Sequence, residues 1–108
     1  MDCNSVSEDA QGISGGGVYV KELLFFYAPW CPPCRFYERE FIKPLEILVG
    51  SEKIHYINVQ EEPFQADKYG VERLPTVVLL ERDSVRMNRT GAIDIDEIAD
   101  YIGRRDVN

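Results

Sequence analysis

Two short apolar runs separated by one helical pattern constrain the fold of this chain more than any other feature. Leu23–Ala28 is an uninterrupted apolar run, typical of a strand buried on both faces, and Ile54–Val59 has the composition of a second strand. Between them an apolar stripe recurs at helical spacing until Gly50, through Cys34, Tyr37, Phe41, Leu45 and Leu48. A strand, a helix and a strand in this order predict a right-handed βαβ unit with parallel strands.

The second half of the chain predicts an antiparallel addition to that unit. Thr76–Glu81 and Ser84–Arg89 have the composition of strands, and the two polar residues between them suit a tight hairpin. Asp94, with Glu97 three residues later, forms a variant of the capping box and predicts the start of a terminal helix. We therefore expect an α/β fold with a mixed central sheet of four or five strands, flanked by helices.

Two prolines mark further helical features. Pro44 lies inside the first helical pattern, where it deletes a backbone hydrogen bond and crowds the preceding turn, so we expect a kink there. A short helix is expected after Pro63 and should end at Gly70. The sequence shows no internal repeat, so one domain should hold all of these elements.

Residues 1–17 differ in composition from the rest of the chain. They hold half of the eight glycines and almost no periodic apolar content, which predicts a flexible N-terminal tail with at most a short helix around Ser7–Gln11. They carry three acidic residues and neither the basic start nor the apolar stretch of a secretory signal. We therefore expect a single domain over residues 18–108, in a reducing, cytoplasmic compartment.

The charge balance argues against two classes of partner. Twelve basic and nineteen acidic residues give a net charge of −7, whereas nucleic acids and anionic membranes attract clustered basic side chains. The longest apolar run without a charge, from Leu23 to Trp30, is far shorter than the ~20 residues that span a bilayer. Neither nucleic acid nor a membrane is expected as a direct partner.

Two of the three cysteines, Cys31 and Cys34, lie where the first strand gives way to the following helix. A C-x-x-C motif there is typical of a dithiol redox site, because one helical turn brings the sulfurs within bonding distance and the helix N-terminus favours a thiolate. Cys31, on the exposed side of the turn, is the expected nucleophile, and Cys34, one turn deeper, is the expected resolving cysteine. Pro32 and Pro33 fit the first helical turn, whose N–H groups have no intrahelical partner to lose. The remaining cysteine, Cys3, is expected to be a free thiol.

The segment Phe26–Arg35, with the sequence FYAPWCPPCR, resembles the active-site segment of the thioredoxin superfamily. Leu74-Pro75-Thr76 is similar to the cis-proline element of that family, and Lys68–Val71 and Gly91-Ala92 agree with small thioredoxins in order and spacing. The resemblance covers roughly residues 18–105. It implies a thioredoxin-like fold from which the family's N-terminal strand is possibly missing.

The resemblance implies a thiol-disulfide oxidoreductase that reduces protein disulfides through a dithiol-disulfide cycle of Cys31 and Cys34, with no metal and no bound cofactor. The implied partners are disulfide-containing protein substrates and an external reductase such as a thioredoxin reductase, and the implied state is a monomer. Two alternatives stay open. One is a glutaredoxin-like, glutathione-linked oxidoreductase, and the other is a thioredoxin-like binding subunit with incidental redox activity.

The resemblance also implies a substrate groove beside Cys31. In that family the backbone of the residue before the cis proline, here Leu74 before Pro75, pairs with an extended substrate strand. Trp30 would flank the groove as a partly exposed residue. Arg35 and Arg73 would lie near the cysteines, where they either attract acidic substrates, steady the thiolate or remain solvated surface charges.

Two positions depart from the family's pattern. Thioredoxins have a buried acid six residues before the nucleophilic cysteine, where this chain has Phe25, and the lysine that faces this acid corresponds by spacing to Tyr56. We therefore expect an aromatic contact in place of an ionic pair. We also expect the Cys34 thiol to lack the carboxylate that normally accepts its proton.

His55 is the only histidine and suggests a general base, but it lies in the middle of a strand with no acid beside it in the expected fold, so a structural role is predicted. A zinc site of Cys3, Cys31, Cys34 and His55 would have suitable ligand types. It lacks the second C-x-x-C motif of a typical zinc site, and we expect no metal.

Overall fold

The computed structural model describes residues 21–105. The predicted N-terminal tail, with its short helix and Cys3, lies outside these residues. Within them the elements follow one another as β1 (Lys21–Tyr27), α1 (Pro32–Tyr37), α2 (Lys43–Val49), β2 (Ile54–Asn58), α3 (Pro63–Lys68), β3 (Thr76–Glu81), β4 (Ser84–Thr90) and α4 (Ile95–Ile102). None of the helices described is long and apolar enough to cross a membrane.

The sheet of the described region has the strand order β2-β1-β3-β4. β1 and β2 are parallel, with Leu23 opposite Ile54 and Tyr27 opposite Asn58, as the βαβ pattern predicts. β3 is antiparallel to both β1 and β4. The expected mixed sheet with flanking helices is therefore confirmed, with four strands in the region described.

The hairpin between β3 and β4 closes through the two polar residues that the sequence indicated. Arg82 and Asp83 have φ angles of 55° and 74°. Two successive positive φ angles define a type I′ turn, whose twist matches the right-handed twist of the flanking strands. The tight antiparallel hairpin is confirmed without a glycine in its turn.

The helical stretch after Cys34 is irregular next to Pro44, where a kink was expected. The irregularity lies one turn earlier, where Glu38–Ile42 is π-helical and the Lys43 N–H donates to the Glu38 carbonyl five residues back. Ile42 and Lys43 both have helical φ and ψ angles, so Pro44 lies inside a continuous helical stretch even though it is an early residue of α2. The disturbance expected from Pro44 therefore takes the form of a π-helical turn that ends just before it and accommodates the proline ring and its missing N–H.

The sheet separates two apolar layers. On one face, Leu23 and Phe25 of β1 pack beneath α1, α2 and α4. On the other, Leu24 and Phe26 pack with Ala66 of α3 and with Tyr69, which follows that helix. All four of these β1 side chains are at most 7% exposed, so the prediction of a strand buried on both faces is confirmed.

Candidate active site

Three segments meet at one edge of the sheet because of the strand register. Tyr27 lies opposite Asn58 at the carboxyl ends of β1 and β2. Phe26 lies opposite Thr76 at the amino end of β3, which runs the other way, and Thr76 lies opposite Thr90 at the carboxyl end of β4. The turn that carries the cysteines, the segment before β3 and the segment after β4 therefore emerge side by side.

Cys31 and Cys34 form a disulfide at this edge, with their Cα atoms 5.3 Å apart. Cys31 is the N-cap of α1 and adopts an extended conformation, so its side chain points back at the first helical turn. The Cys34 N–H donates to Cys31 Sγ over 3.3 Å. Because Pro32 and Pro33 have no N–H, this bond is the first that the helix can offer to the Cys31 sulfur.

Both cysteines are buried in the disulfide form. Cys31 is 5% exposed and Cys34 is 2% exposed, and both belong to the apolar layer beneath the helices. The expectation that Cys31 lies on the exposed side of the turn was wrong for this state. The Cys31 sulfur is bonded to Cys34 and lies at the start of α1, so only a small part of Cys31 is exposed to solvent.

The residues around the motif are far more exposed than the cysteines. Trp30 is 63% exposed, and Pro32 and Pro33 are both exposed. Arg35 Nη2 donates to the Pro29 carbonyl over 3.1 Å, which holds the guanidinium against the backbone that leads into Trp30. A cationic group and a large aromatic ring thus flank the disulfide on its solvent side.

The segment before β3 presents unused backbone groups. The Leu74–Pro75 peptide is cis, Pro75 is buried, Leu74 is half-buried and Arg73 is exposed. Within residues 21–105 the Leu74 N–H and C=O make no hydrogen bond. Both groups are free to pair with an extended chain laid along this edge, which is the first step of recognition by strand addition.

Beneath the disulfide lies a cluster of aromatic rings centred on Phe25. Its ring is stacked 5.8 Å from that of Tyr37 and 5.6 Å from that of Tyr27. The Tyr56 ring meets it edge-on at 5.7 Å. The predicted aromatic contact between Phe25 and Tyr56 is therefore confirmed. Among the residues described, no carboxylate forms a hydrogen bond with either cysteine.

Two hydroxyls of this cluster are buried, those of Tyr37 and Tyr56, and that of Tyr37 has no hydrogen-bond partner within residues 21–105. Burial raises the pKa of Tyr37 to about 12, against an opposing effect of the Arg89 charge. Burial also raises the pKa of Tyr56, against the opposing effect of the Lys43 ammonium, which lies over the Tyr56 ring and bonds its hydroxyl. Both phenols therefore stay protonated at neutral pH, and neither replaces a carboxylate as a proton acceptor.

His55 takes no part in this site. It lies opposite Leu24 in the ladder, so its side chain is on the sheet face away from the cysteines. Its Nε2 atom is 2.6 Å from Glu22 Oε1. The expectation that no acid lies beside His55 was wrong, because the parallel register brings Glu22 to the same face. The zinc alternative, which joined His55 to Cys31 and Cys34, is contradicted by this placement, and residues 21–105 contain no other group of metal-binding side chains that could hold an ion.

Sequence reasoning missed Thr90, which lies at the end of β4. Its Oγ1 atom is 2.7 Å from Thr76 Oγ1, and Thr76 Oγ1 is 2.6 Å from the Arg73 carbonyl oxygen. No local pattern marks this residue. Only the register of the hairpin, which places Thr90 opposite Thr76, could have indicated it.

A C-x-x-C disulfide that caps a helix, next to a proline segment whose Leu74 backbone is unpaired within residues 21–105, is typical of thiol-disulfide oxidoreductases. The sequence model of the thioredoxin family matches residues 19–104. The chain belongs to the thioredoxin family.

Three known proteins illustrate the range of the similarity. Thioredoxin M4, chloroplastic, of Arabidopsis thaliana is 31% identical over 85 residues, which are 79% of this chain and 44% of that protein. The thioredoxin of Chlamydia caviae is 32% identical over 83 residues, or 76% of this chain and 79% of the relative. The structure of the germline-specific thioredoxin Deadhead from Drosophila melanogaster is 28% identical, with a TM-score of 0.60 over 76% of this chain and 77% of the other. This chain therefore spans less than half of the plant relative and most of the other two.

The unpartnered Tyr37 hydroxyl predicts an unusual response to substitution. Leaving a buried hydroxyl unpaired costs about 1–3 kcal/mol, so Tyr37→Phe should equal or exceed the natural protein in stability at neutral pH. The folded protein keeps the Tyr37 proton up to a pKa of about 12, whereas the unfolded chain releases it near the ordinary value of 10.0. The contribution of Tyr37 ionisation to the free energy of unfolding is thus fully present below pH 10.0. It is lost as the pH rises towards 12, by about 1.4 kcal/mol per pH unit.

Urea unfolding at neutral and alkaline pH checks this prediction. Tyr37→Phe should lose less stability than the natural protein as the solution becomes alkaline. Tyr69→Phe is the matched control, because the Tyr69 ring packs edge-on against Phe26 and its hydroxyl is not among the buried unpartnered ones of residues 21–105. Equal alkaline slopes for Tyr37→Phe and the natural protein would contradict the assignment.

The aromatic cluster also predicts how resolution by Cys34 depends on pH. With Phe25 in place of an acid, the Cys34 proton must leave to water, so resolution should accelerate from about pH 6 to about pH 8 as the thiolate fraction rises. Phe25→Asp with Tyr56→Lys should flatten this dependence, at some loss of stability. The second release of thionitrobenzoate from dithiobis-nitrobenzoate, which follows attack by Cys34 on the mixed disulfide, measures this step.

The matched control is Phe25→Asn with Tyr56→Lys, which has nearly the same shape but no carboxylate and should keep the pH dependence of the natural protein. A flat profile in the natural protein, left unchanged by the aspartate variant, would contradict the missing-acceptor argument.

Proposed function

We propose that the protein reduces disulfide bonds of other proteins through Cys31 and Cys34. The observation that carries this proposal is the placement of the disulfide beside the free Leu74 backbone, because an extended substrate can pair there while its own disulfide lies against Cys31. The family match supports the same activity. Roles for individual residues follow from their places around the disulfide.

The reaction consists of two exchanges. The Cys31 thiolate attacks one sulfur of the substrate disulfide, forming a mixed disulfide and releasing the other substrate sulfur as a thiolate that takes up a proton. The Cys34 thiolate then attacks the Cys31 sulfur, so the Cys31–Cys34 disulfide forms and the second substrate thiol leaves. Two electrons and two protons pass to the substrate, and an external reductase, such as a thioredoxin reductase, returns the pair to the dithiol.

The order of the two cysteines rests on geometry. Both residues are buried in the disulfide form, but the Cys31 sulfur accepts the N–H of Cys34 over 3.3 Å. A hydrogen bond from the first helical turn stabilises a thiolate at Cys31. Cys34 lies within α1 and is shielded by the helix. Its sulfur therefore attacks only after Cys31 has formed the mixed disulfide with the substrate.

The groove residues have distinct proposed roles. Leu74 offers its N–H and C=O to the substrate backbone, and buried Pro75 fixes the end of that segment where β3 begins. Trp30 covers the solvent side of the bound chain. Arg73 is exposed and has no ion-pair partner within residues 21–105, so its charge attracts acidic residues of the substrate. Arg35, held at the Pro29 carbonyl, supports the turn of Pro32 and Pro33.

We also propose a monomer of one domain over residues 18–108, preceded by a tail at 1–17, that works in a reducing compartment such as the cytoplasm. The family match begins at residue 19, which supports the boundary. The net charge of −7 supports proteins rather than nucleic acids or anionic membranes as partners. The name of the Arabidopsis relative assigns that protein to the chloroplast.

Trapping experiments test the division of labour between the cysteines. Cys34→Ser should accumulate covalent mixed disulfides on Cys31, because nothing remains to resolve them, and Cys31→Ser should accumulate none. In the reduced natural protein, iodoacetamide should alkylate Cys31 faster than Cys34, as peptide mass spectrometry would show. Equal alkylation rates, or trapping by Cys31→Ser, would contradict the assignment.

The two alternative functions give different results. A glutathione-linked enzyme would accumulate glutathione rather than protein on the Cys34→Ser variant. A binding subunit with incidental redox activity would retain its biological function when both cysteines are replaced by serine.

A further inference from the structure

The direction of the hydrogen bonds between Thr90, Thr76 and Arg73 follows from the chemistry of the groups. The Arg73 carbonyl oxygen can only accept, so the Thr76 hydroxyl, 2.6 Å away, donates to it. A hydroxyl has a single hydrogen, so Thr76 has none left for Thr90. The Thr90 hydroxyl, 2.7 Å from Thr76 Oγ1, must therefore donate to Thr76. The chain of donation runs from Thr90 through Thr76 to the Arg73 carbonyl.

These two hydrogen bonds hold the segment before β3 in place. Val71 N–H bonds to the Ala66 carbonyl at the end of α3, and Pro75 has no N–H. Between them, the Arg73 carbonyl is the single backbone group of residues 72–74 with a hydrogen-bond partner in the described part of the chain. The peptide between Arg73 and Leu74 is thus oriented by a hydroxyl, and that peptide carries the free Leu74 N–H.

The position of Thr90 separates this role from packing. Thr90 is exposed at the end of β4, an outer strand of the described sheet, whereas Thr76 is only 1% exposed. An exposed hydroxyl can bond water at no cost, so Thr90 contributes little to the core. Its donated hydrogen keeps the Thr76 hydroxyl turned towards Arg73, because an undirected hydroxyl rotates freely about its C–O bond.

We propose that Thr90 is a positioning residue for substrate binding. Through Thr76 it holds the Arg73–Leu74 peptide so that the Leu74 N–H faces an extended substrate. The inference rests on the proposed reduction of protein disulfides. It adds Thr90 to the residues that affect binding, and only for substrates that have a polypeptide backbone. A small disulfide has no backbone to pair with Leu74, so Thr90 leaves its reduction unaffected.

Steady-state reduction of two disulfides by Thr90 variants tests the proposal, with insulin as the polypeptide and dithiobis-nitrobenzoate as the small disulfide. Thr90→Val keeps the β-branched shape and removes the donor, whereas Thr90→Ser keeps the donor. Thr90→Val should raise KM for insulin about fivefold with little change in kcat, the effect of losing one hydrogen bond. Its rate with dithiobis-nitrobenzoate should equal that of the natural protein, and Thr90→Ser should restore the insulin KM.

Three results would overturn the inference: an unchanged insulin KM for Thr90→Val, equal losses with both disulfides, or the same defect in Thr90→Ser. Thr90→Ala provides a second donor-free variant and must reproduce the Thr90→Val result if the valine variant does not fold. A failure of the proposed function is distinguishable, since the natural protein itself would then leave insulin unreduced. A failure of the Thr90 inference alone would leave that activity intact and the insulin KM of the variants unaltered.

Discussion

Burial of β1 on both faces of the sheet is the constraint on which the rest of the structure depends. Its side chains alternate between two apolar layers, so the strand has to lie between β2 and β3 with helices on either side. The register of these pairings brings the carboxyl end of β1 to the edge where β3 begins. The disulfide and the cis-proline segment face each other for this reason, although 40 or more residues separate them in sequence.

The same strand explains the apolar character of the site. Phe25 occupies the position where a buried acid is expected, and it is surrounded by Tyr37, Tyr56 and Tyr27. An aromatic cluster avoids the desolvation of a buried ion pair, which is often as costly as the pair is stabilising. Among residues 21–105 the arrangement leaves the Tyr37 hydroxyl without a partner and places no carboxylate at hydrogen-bond distance from Cys34.

Local patterns were enough to predict most of the fold. The apolar run of β1, the helical stripe ended by Gly50, and the Asp94 cap, whose Oδ1 atom accepts the Glu97 N–H, all depend on residues close in sequence. The contacts that could not be predicted from the sequence depend on the register between strands far apart in the chain. The contact of Glu22 with His55 and the bond of Thr90 to Thr76 require the pairing of separate strands. The burial of Cys31 depends on how the whole turn packs, and the π-helical segment arises where the helix accommodates Pro44.

The most direct test of the central claim is insulin reduction with dithiothreitol as the electron source, followed by turbidity as the B chain precipitates. The account predicts that the natural protein shortens the lag at catalytic concentration, and that Cys31→Ser leaves the lag at the value of dithiothreitol alone. A natural protein no faster than dithiothreitol, or a Cys31→Ser variant as fast as the natural protein, would contradict it.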